Sequence, residues 1–141
     1  MKSTPSAELA ARLRQAVTRM NRRLRVTSLG EISPAQASML AAIEMLEAPT
    51  LGELAAAEQI QPPSVTRLVK GLQESGLIVQ KTDPNDRRST RVAISPQGKR
   101  ALSEIRDRKT QFLNSKLSAL SAKELEKAEE MVVLLERLLA E

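Results

Sequence analysis

Cysteine, histidine, tryptophan and tyrosine are all absent from this 141-residue chain, and phenylalanine occurs once. Without cysteine there is no disulfide scaffold and no thiol sensor. Without cysteine or histidine a zinc or transition-metal site is not expected, and no cofactor is implied. Catalysis would fall to paired carboxylates or a lysine, and no motif sets such groups in a recognisable cleft, so no enzyme is expected. With aromatics at 1% and hydrophobic residues at 41%, the core must be aliphatic. That favours helices over an all-β fold, because sheets draw on aromatic and β-branched side chains. No apolar run approaches a membrane span and the N-terminus lacks a signal-peptide core. A soluble, cytoplasmic protein with no membrane partner is therefore expected.

Charge is present in excess of one sign and unevenly placed. The formal net charge is +5 and the sequence pI is near 10.0. Residues 1–30 hold seven Lys/Arg against one acid, and residues 61–110 hold eleven against five. Residues 31–60 have five acids and no Lys or Arg. A polyanion is the partner such a distribution suits.

The most informative stretch runs from residue 62 to residue 94. Val65, Leu68, Val69 and Leu72 stand at i, i+3, i+4 and i+7, one face of a helix. Pro63, Thr66, Arg67, Lys70 and Glu74 fall on the opposite face. Pro62-Pro63 suits the helix start and Gly76 is placed to stop it. Leu77-Ile78-Val79 and Arg91-Val92-Ala93-Ile94 read as two strands. Asp83-Pro84-Asn85-Asp86 between them has turn chemistry and leads into Arg87 and Arg88. Upstream, Thr50-Leu51-Gly52-Glu53 reads as a capping box, with the Thr hydroxyl and Glu carboxylate closing the helix start reciprocally. Its short helix carries Leu51, Leu54 and Ala55 on one side, and Ile60 can plug the angle before the second helix. Two helices in this order match helix-turn-helix geometry. A helix hairpin alone is common in small helical proteins; the strand pair with its arginine-bearing turn is what makes this a winged helix-turn-helix.

At these residues the chain resembles the multiple-antibiotic-resistance regulator (MarR) family of bacterial and archaeal transcription factors. The resemblance rests on PPSVTRLVKGLQESGLI, on DPNDRRSTRVAISPQGK and on the flanking helices, and it covers essentially the whole chain. It implies a homodimeric, sequence-specific regulator of double-stranded DNA, more often a repressor. It also implies a small amphipathic, often phenolic or carboxylate, effector bound between the dimerisation helices and the winged domain.

Taken in order, Leu9, Leu13, Val17, Met20 and Leu24 mark a long amphipathic helix from Ser6 that ends before Gly30. Its other face bears Arg12, Arg14, Arg19, Arg22, Arg23 and Arg25, either solvated or set against an anionic surface. Ser33-Pro34-Ala35-Gln36 starts a second helix, with Met39, Leu40, Ile43 and Leu46 as its buried face and Pro49 closing it. Ser95-Pro96 starts a long helix marked by Leu102, Ile105, Phe112, Leu113, Leu117 and Leu120. Ser121-Ala122-Lys123-Glu124 caps the last, whose apolar residues from Leu125 to Leu139 cover more of its surface than one partner helix needs. The expected fold class is mainly α, a winged helix-turn-helix with a two-stranded wing and dimerisation helices at both ends. The expected divisions are an N-terminal dimerisation helix over 1–30, the DNA-binding domain over 31–98 and C-terminal dimerisation helices over 99–141. A dimer would face half-sites about 34–36 Å apart on a pseudo-palindrome.

Within the reading surface, Arg67 is the candidate for a bidentate guanine contact, and Pro63, Ser64 and Thr66 approach bases or phosphates. Ser64 has the competing role of bonding its own helix start. Lys70 suits phosphate. Arg88 or Arg87 would reach the adjacent minor groove. Arg91 faces either DNA or Asp83. The resemblance gives Asp86 the role of orienting an arginine; closing the turn is its simpler role. Met20, Met39 and Met45 are candidates to line an adaptable effector pocket, with core packing the simpler role. A sequence-nonspecific architectural DNA binder shares the basic patch and is the main competing function.

Overall fold

A computed structural model describes residues 5–140, and the start of the N-terminal segment, Met-Lys-Ser-Thr, lies outside them. The order of elements is α1 (Pro5–Ser28), α2 (Pro34–Leu46), α3 (Leu51–Glu58), α4 (Pro62–Glu74), β1 (Ile78–Thr82), β2 (Thr90–Ile94), α5 (Pro96–Leu117) and α6 (Ala122–Leu139). The fold is mainly helical with one small antiparallel sheet. β1 and β2 pair from Ile78↔Ile94 to Thr82↔Thr90.

Caps set most boundaries. Ser33 and Ser121 form full capping boxes with Gln36 and Glu124. The C-terminus of α4 closes with the two bonds of a Schellman motif. The Gly76 N–H donates to the Gln73 carbonyl and the Leu77 N–H to the Leu72 carbonyl, both at 3.0 Å. Gly76 is the residue that supplies the left-handed backbone, at φ 74°. Leu72 and Leu77 are both buried, which adds the apolar contact that accompanies this motif.

Several starts and stops differ from expectation: β1 runs later than the Leu77–Val79 read for it, and α5 ends at Leu117, short of Leu120. α2 ends at Leu46, because Glu47 and Ala48 both turn left-handed (φ 52° and 64°) before Pro49 is reached. Leu46 stays exposed where the helix gives out, whereas Met39, Leu40 and Ile43 are fully buried. At α3 only half of the expected capping box forms. The Thr50 hydroxyl accepts from the Glu53 N–H at 3.1 Å, while the Glu53 carboxylate lies 3.9 Å from Arg91 on β2.

A single aliphatic core joins α2, α3, α4, the sheet and the start of α5. It is built from Met39, Leu40, Ile43, Leu54, Val65, Val69, Leu72, Leu77, Ile78, Val92 and Leu102, with Leu51, Ala55, Ile60 and Leu68 packed at its edge. Ile60 thus fills the angle between α3 and α4. α1 lies along α5. α6, by contrast, buries none of its residues. Its Met131, Val133 and Leu138 are exposed, as are Leu9, Val17 and Met20 on α1. The total accessible surface is 10879 Å². A compact monomer of this mass would expose about 7,200 Å². Exposed apolar side chains on the terminal helices contribute to the surplus.

Candidate nucleic-acid interface

α4 presents two unlike faces because its period is so regular. Val65, Val69 and Leu72 are buried, while Pro63, Thr66, Arg67 and Lys70 are exposed. Its N-terminus offers no backbone donor to an anion. Pro62 and Pro63 have no N–H, and the N–H groups of Ser64 and Val65 donate to the Gln61 carbonyl at 2.9 and 3.2 Å. Recognition at this helix must therefore run through side chains. Thr66 donates its hydroxyl back to the Pro62 carbonyl at 3.1 Å, leaving its lone pairs outward. Ser64 is half-buried, and its backbone secures the helix start.

The wing loop, residues 83–89, is tied by its own acids. The Asp83 carboxylate accepts from the Asn85 N–H at 2.9 Å and the Asp86 carboxylate from the Arg88 N–H at 3.0 Å. Two backbone bonds close it, Asp83 N–H to the Ser89 carbonyl and Ser89 N–H to the Asp86 carbonyl. Asp86 therefore organises the loop through a backbone amide, and the arginine side chains beside it stay unpaired. The acid that does hold an arginine is Asp83. Its Oδ2 accepts from Arg91 Nε at 3.1 Å, and Asp83 is itself buried. The Asn85 N–H, followed by Arg91, holds its carboxyl below the usual aspartate value.

Arg91 faces Asp83 rather than outward. Its Nη1 also donates to the Ala48 carbonyl at 3.0 Å. Beside it, the Val92 N–H donates to the Pro49 carbonyl at 3.0 Å, and Thr50 bridges Arg91 as a one-residue third strand. The cations divide accordingly. Among the described residues, Arg67, Lys70, Arg87 and Arg88 have no side-chain ion pair, and all four are exposed. Long cationic side chains without partners are the groups able to meet phosphate and base edges.

The junction between wing and α5 rests on residues that were read only as a helix start. The Ser95 hydroxyl accepts from the Gly98 N–H at 3.0 Å and donates to the Gly76 carbonyl at 2.6 Å. The Ser95 N–H donates to the Leu77 carbonyl. A Cβ at Gly98 would overlap that same carbonyl oxygen. The S-P-Q-G spacing was the signal for this; its second role, seating α5 on the root of the wing, depends on where the wing packs.

A cavity of about 460 Å³ opens between α1, α2 and α5. Arg25, Glu58, Arg106 and Lys109 are its charged lining, and Leu29, Ala41, Leu102 and Ile105 line it among the apolar residues. The three methionines do not share it. Met39 is in the core, Met45 is exposed, and Met20 lines a separate groove with Phe112. The reason is angular: the three side chains leave helices α1 and α2 in different directions. Among the described residues no cluster suited to a metal ion occurs, and no helix is long and apolar enough to cross a membrane.

Residues 32–90, from just before α2 to the first residue of β2, match the model of the MarR family. A Mycobacterium bovis protein described as an HTH-type transcriptional regulator is 33% identical over 121 residues, covering 84% of this chain and 83% of that protein. The crystal structure of a Pseudomonas aeruginosa protein described as a transcriptional regulator superposes with a TM-score of 0.81. The two are 33% identical, over 97% of each chain. A point mutant of Staphylococcus aureus MepR, solved bound to an oligodeoxyribonucleotide, shares the fold with a TM-score of 0.74 at 19% identity, over 99% of this chain and all of that one.

Proposed function

The chain belongs to the MarR family of transcriptional regulators, and from that premise we propose that it binds a pseudo-palindromic operator in double-stranded DNA as a cytoplasmic homodimer and represses transcription. The observation that carries this reading is the division of the cations. The arginines that hold the fold together are paired, while Arg67 and Lys70 on α4 and Arg87 and Arg88 on the wing loop are exposed and unpaired. Arg67 would read base edges in the major groove, and Pro63, Ser64 and Thr66 would pack close to it. Lys70 would meet phosphate, and the wing arginines would enter the adjacent minor groove.

Dimerisation follows from the uncovered terminal helices. Surface surplus of thousands of Å² with Leu, Val and Met exposed is what a large, apolar subunit interface leaves when one copy is viewed alone. In this reading residues 1–30 and 99–141 make the dimer and residues 31–98 the DNA-binding domain. The cavity lined by Arg25, Glu58, Arg106 and Lys109 would take a small amphipathic effector. Release of DNA would then require that the effector bind more tightly to the spacing of recognition helices that does not fit the operator.

Selection of bound fragments from a random duplex pool at physiological salt tests the proposal. A pseudo-palindrome with half-sites about one helical turn apart is the expected product. Binding without any recovered motif would overturn sequence-specific regulation in favour of the architectural role, and sedimentation of the free protein as a monomer would overturn the dimer.

A further inference from the structure

The sequence leaves Arg91 facing either DNA or Asp83, and the structure gives its guanidinium two hydrogen-bond partners from distant places in the chain, the Asp83 carboxylate at the wing loop and the Ala48 carbonyl in the α2–α3 bend, with the exposed Glu53 carboxylate of α3 3.9 Å away. We infer that Arg91 is a positioning residue, a joint that fixes the wing against the helix-turn-helix, so that DNA binding depends on it although it makes no contact with DNA. The inference rests on the DNA-binding reading above.

The first argument is geometric. α4 and the wing must present their cations at a set separation to meet adjacent grooves, and β1 follows α4 directly through Gly76 and Leu77. That connection fixes the base of the wing only. Farther along the sheet β2 meets the α2–α3 bend through two links, the Val92 N–H to Pro49 carbonyl bond and the Arg91 fork on the Ala48 carbonyl. A planar guanidinium can hold a carboxylate and a carbonyl in one plane; an ammonium cannot hold both in that geometry.

The second argument concerns what the fork holds. Glu47 and Ala48 are left-handed in succession, and neither is glycine. Left-handed backbone at such residues is strained and persists only where surroundings over-determine it. The Ala48 carbonyl, turned toward β2 by that backbone, is the atom Arg91 binds. The bend and the wing therefore hold each other, and loosening one frees the other.

A residue that touches phosphate and one that positions others leave different marks on salt dependence. Loss of a phosphate contact lowers the slope of log affinity against log salt by about 0.9. The experiment measures that slope for Arg91→Gln, Asp83→Asn, their double variant and Arg88→Ala, on the duplex selected by the wild type. Hydrogen exchange at the Val92 N–H is followed in the same proteins. For Arg91→Gln and Asp83→Asn affinity is expected to fall roughly three- to thirtyfold with the slope unchanged and with faster exchange at Val92. The double variant should lose no more than the worse single one, as two parts of one joint do. Arg88→Ala should lower the slope and leave Val92 exchange alone. A lowered slope for Arg91→Gln with normal exchange would make Arg91 a DNA contact and overturn the inference. Wild-type affinity in both variants would overturn it equally, and additive losses would show that Asp83 and Arg91 do not act together. A wild type that selects no duplex would instead sink the DNA-binding reading itself, a separate result; the exchange data would still show whether Arg91 holds the wing.

Discussion

The Ser95 hydroxyl donates to the carbonyl of Gly76 at 2.6 Å, across the gap between the end of α4 and the start of α5. One side chain therefore caps α5 and ties it to the turn from which the wing begins. Movement of α5, which lies along α1, has a short mechanical path to α4 through this residue.

Replacing Ser95 by Ala removes the cap and leaves the Gly76 carbonyl without its hydroxyl donor. Stability should fall by about 1–3 kcal/mol, measured by urea unfolding. Gly98→Ala should cost more, because its methyl meets a backbone carbonyl that cannot move without displacing β1. An unaltered midpoint for Gly98→Ala would show that α5 can shift freely on the wing.

The left-handed bend predicts a gain. Ala48→Gly removes a Cβ from backbone that disfavours one and should raise stability by up to about 1 kcal/mol. Ala42→Gly, at a buried position inside α2, should lower it by about 1 kcal/mol or more. The pair of thermal melts checks the assignment, since the same change of side chain is expected to act with opposite sign.

Acid should unlock the wing. The folded-state value of Asp83 is depressed, first by the Asn85 N–H and then by Arg91, so its ionised form stabilises the native state. That contribution is fully present above the ordinary aspartate value of 3.8 and is lost as pH falls through the lower folded value. Glu124, lowered by the Ser121 N–H at the start of α6, acts in the same direction. Unfolding midpoints between pH 6 and pH 3 should decline less steeply in Asp83→Asn than in the wild type. Parallel curves would show that Asp83 gains nothing from its partners.

On α6, Val132→Glu with Leu138→Glu places charge on two exposed apolar positions. In a single chain this should be nearly neutral, as surface substitutions are. In the proposed dimer it should shift sedimentation from two subunits to one, with helix content in the described core retained.

Within the reading helix, Arg67→Ala should cost about 1–3 kcal/mol of discrimination at one base position. Lys70→Ala should weaken all duplexes alike and lower the salt slope by about 1. Competition binding with single-base variants of the selected duplex separates the two. A uniform loss for Arg67→Ala would move that residue from base to phosphate.

Much of this was legible in the linear chain, because it depends on neighbours three or four residues apart. The apolar stripe of α4, the caps at Ser33 and Ser121, the stop at Gly76 and the turn at Asp83-Pro84 are local chemistry, and they appear as read. The aliphatic core and the uneven charge were equally open to view.

Arg91 shows where local reading ends. Asp83 is eight residues from it and Ala48 is forty-three away, so nothing near Arg91 in sequence announces the second bond. The same distance explains Glu53, whose expected bond to its own helix start gives way to a place near Arg91, and Leu46, which keeps its periodic position but loses its cover when the backbone turns at Glu47. The sequence by itself determined which segments become helices or strands, where most of them stop, and which residues face outward with charge. Only the tertiary structure decided which of those charges are already spent on one another and which remain for a partner, because pairing depends on the separation of groups brought together by packing.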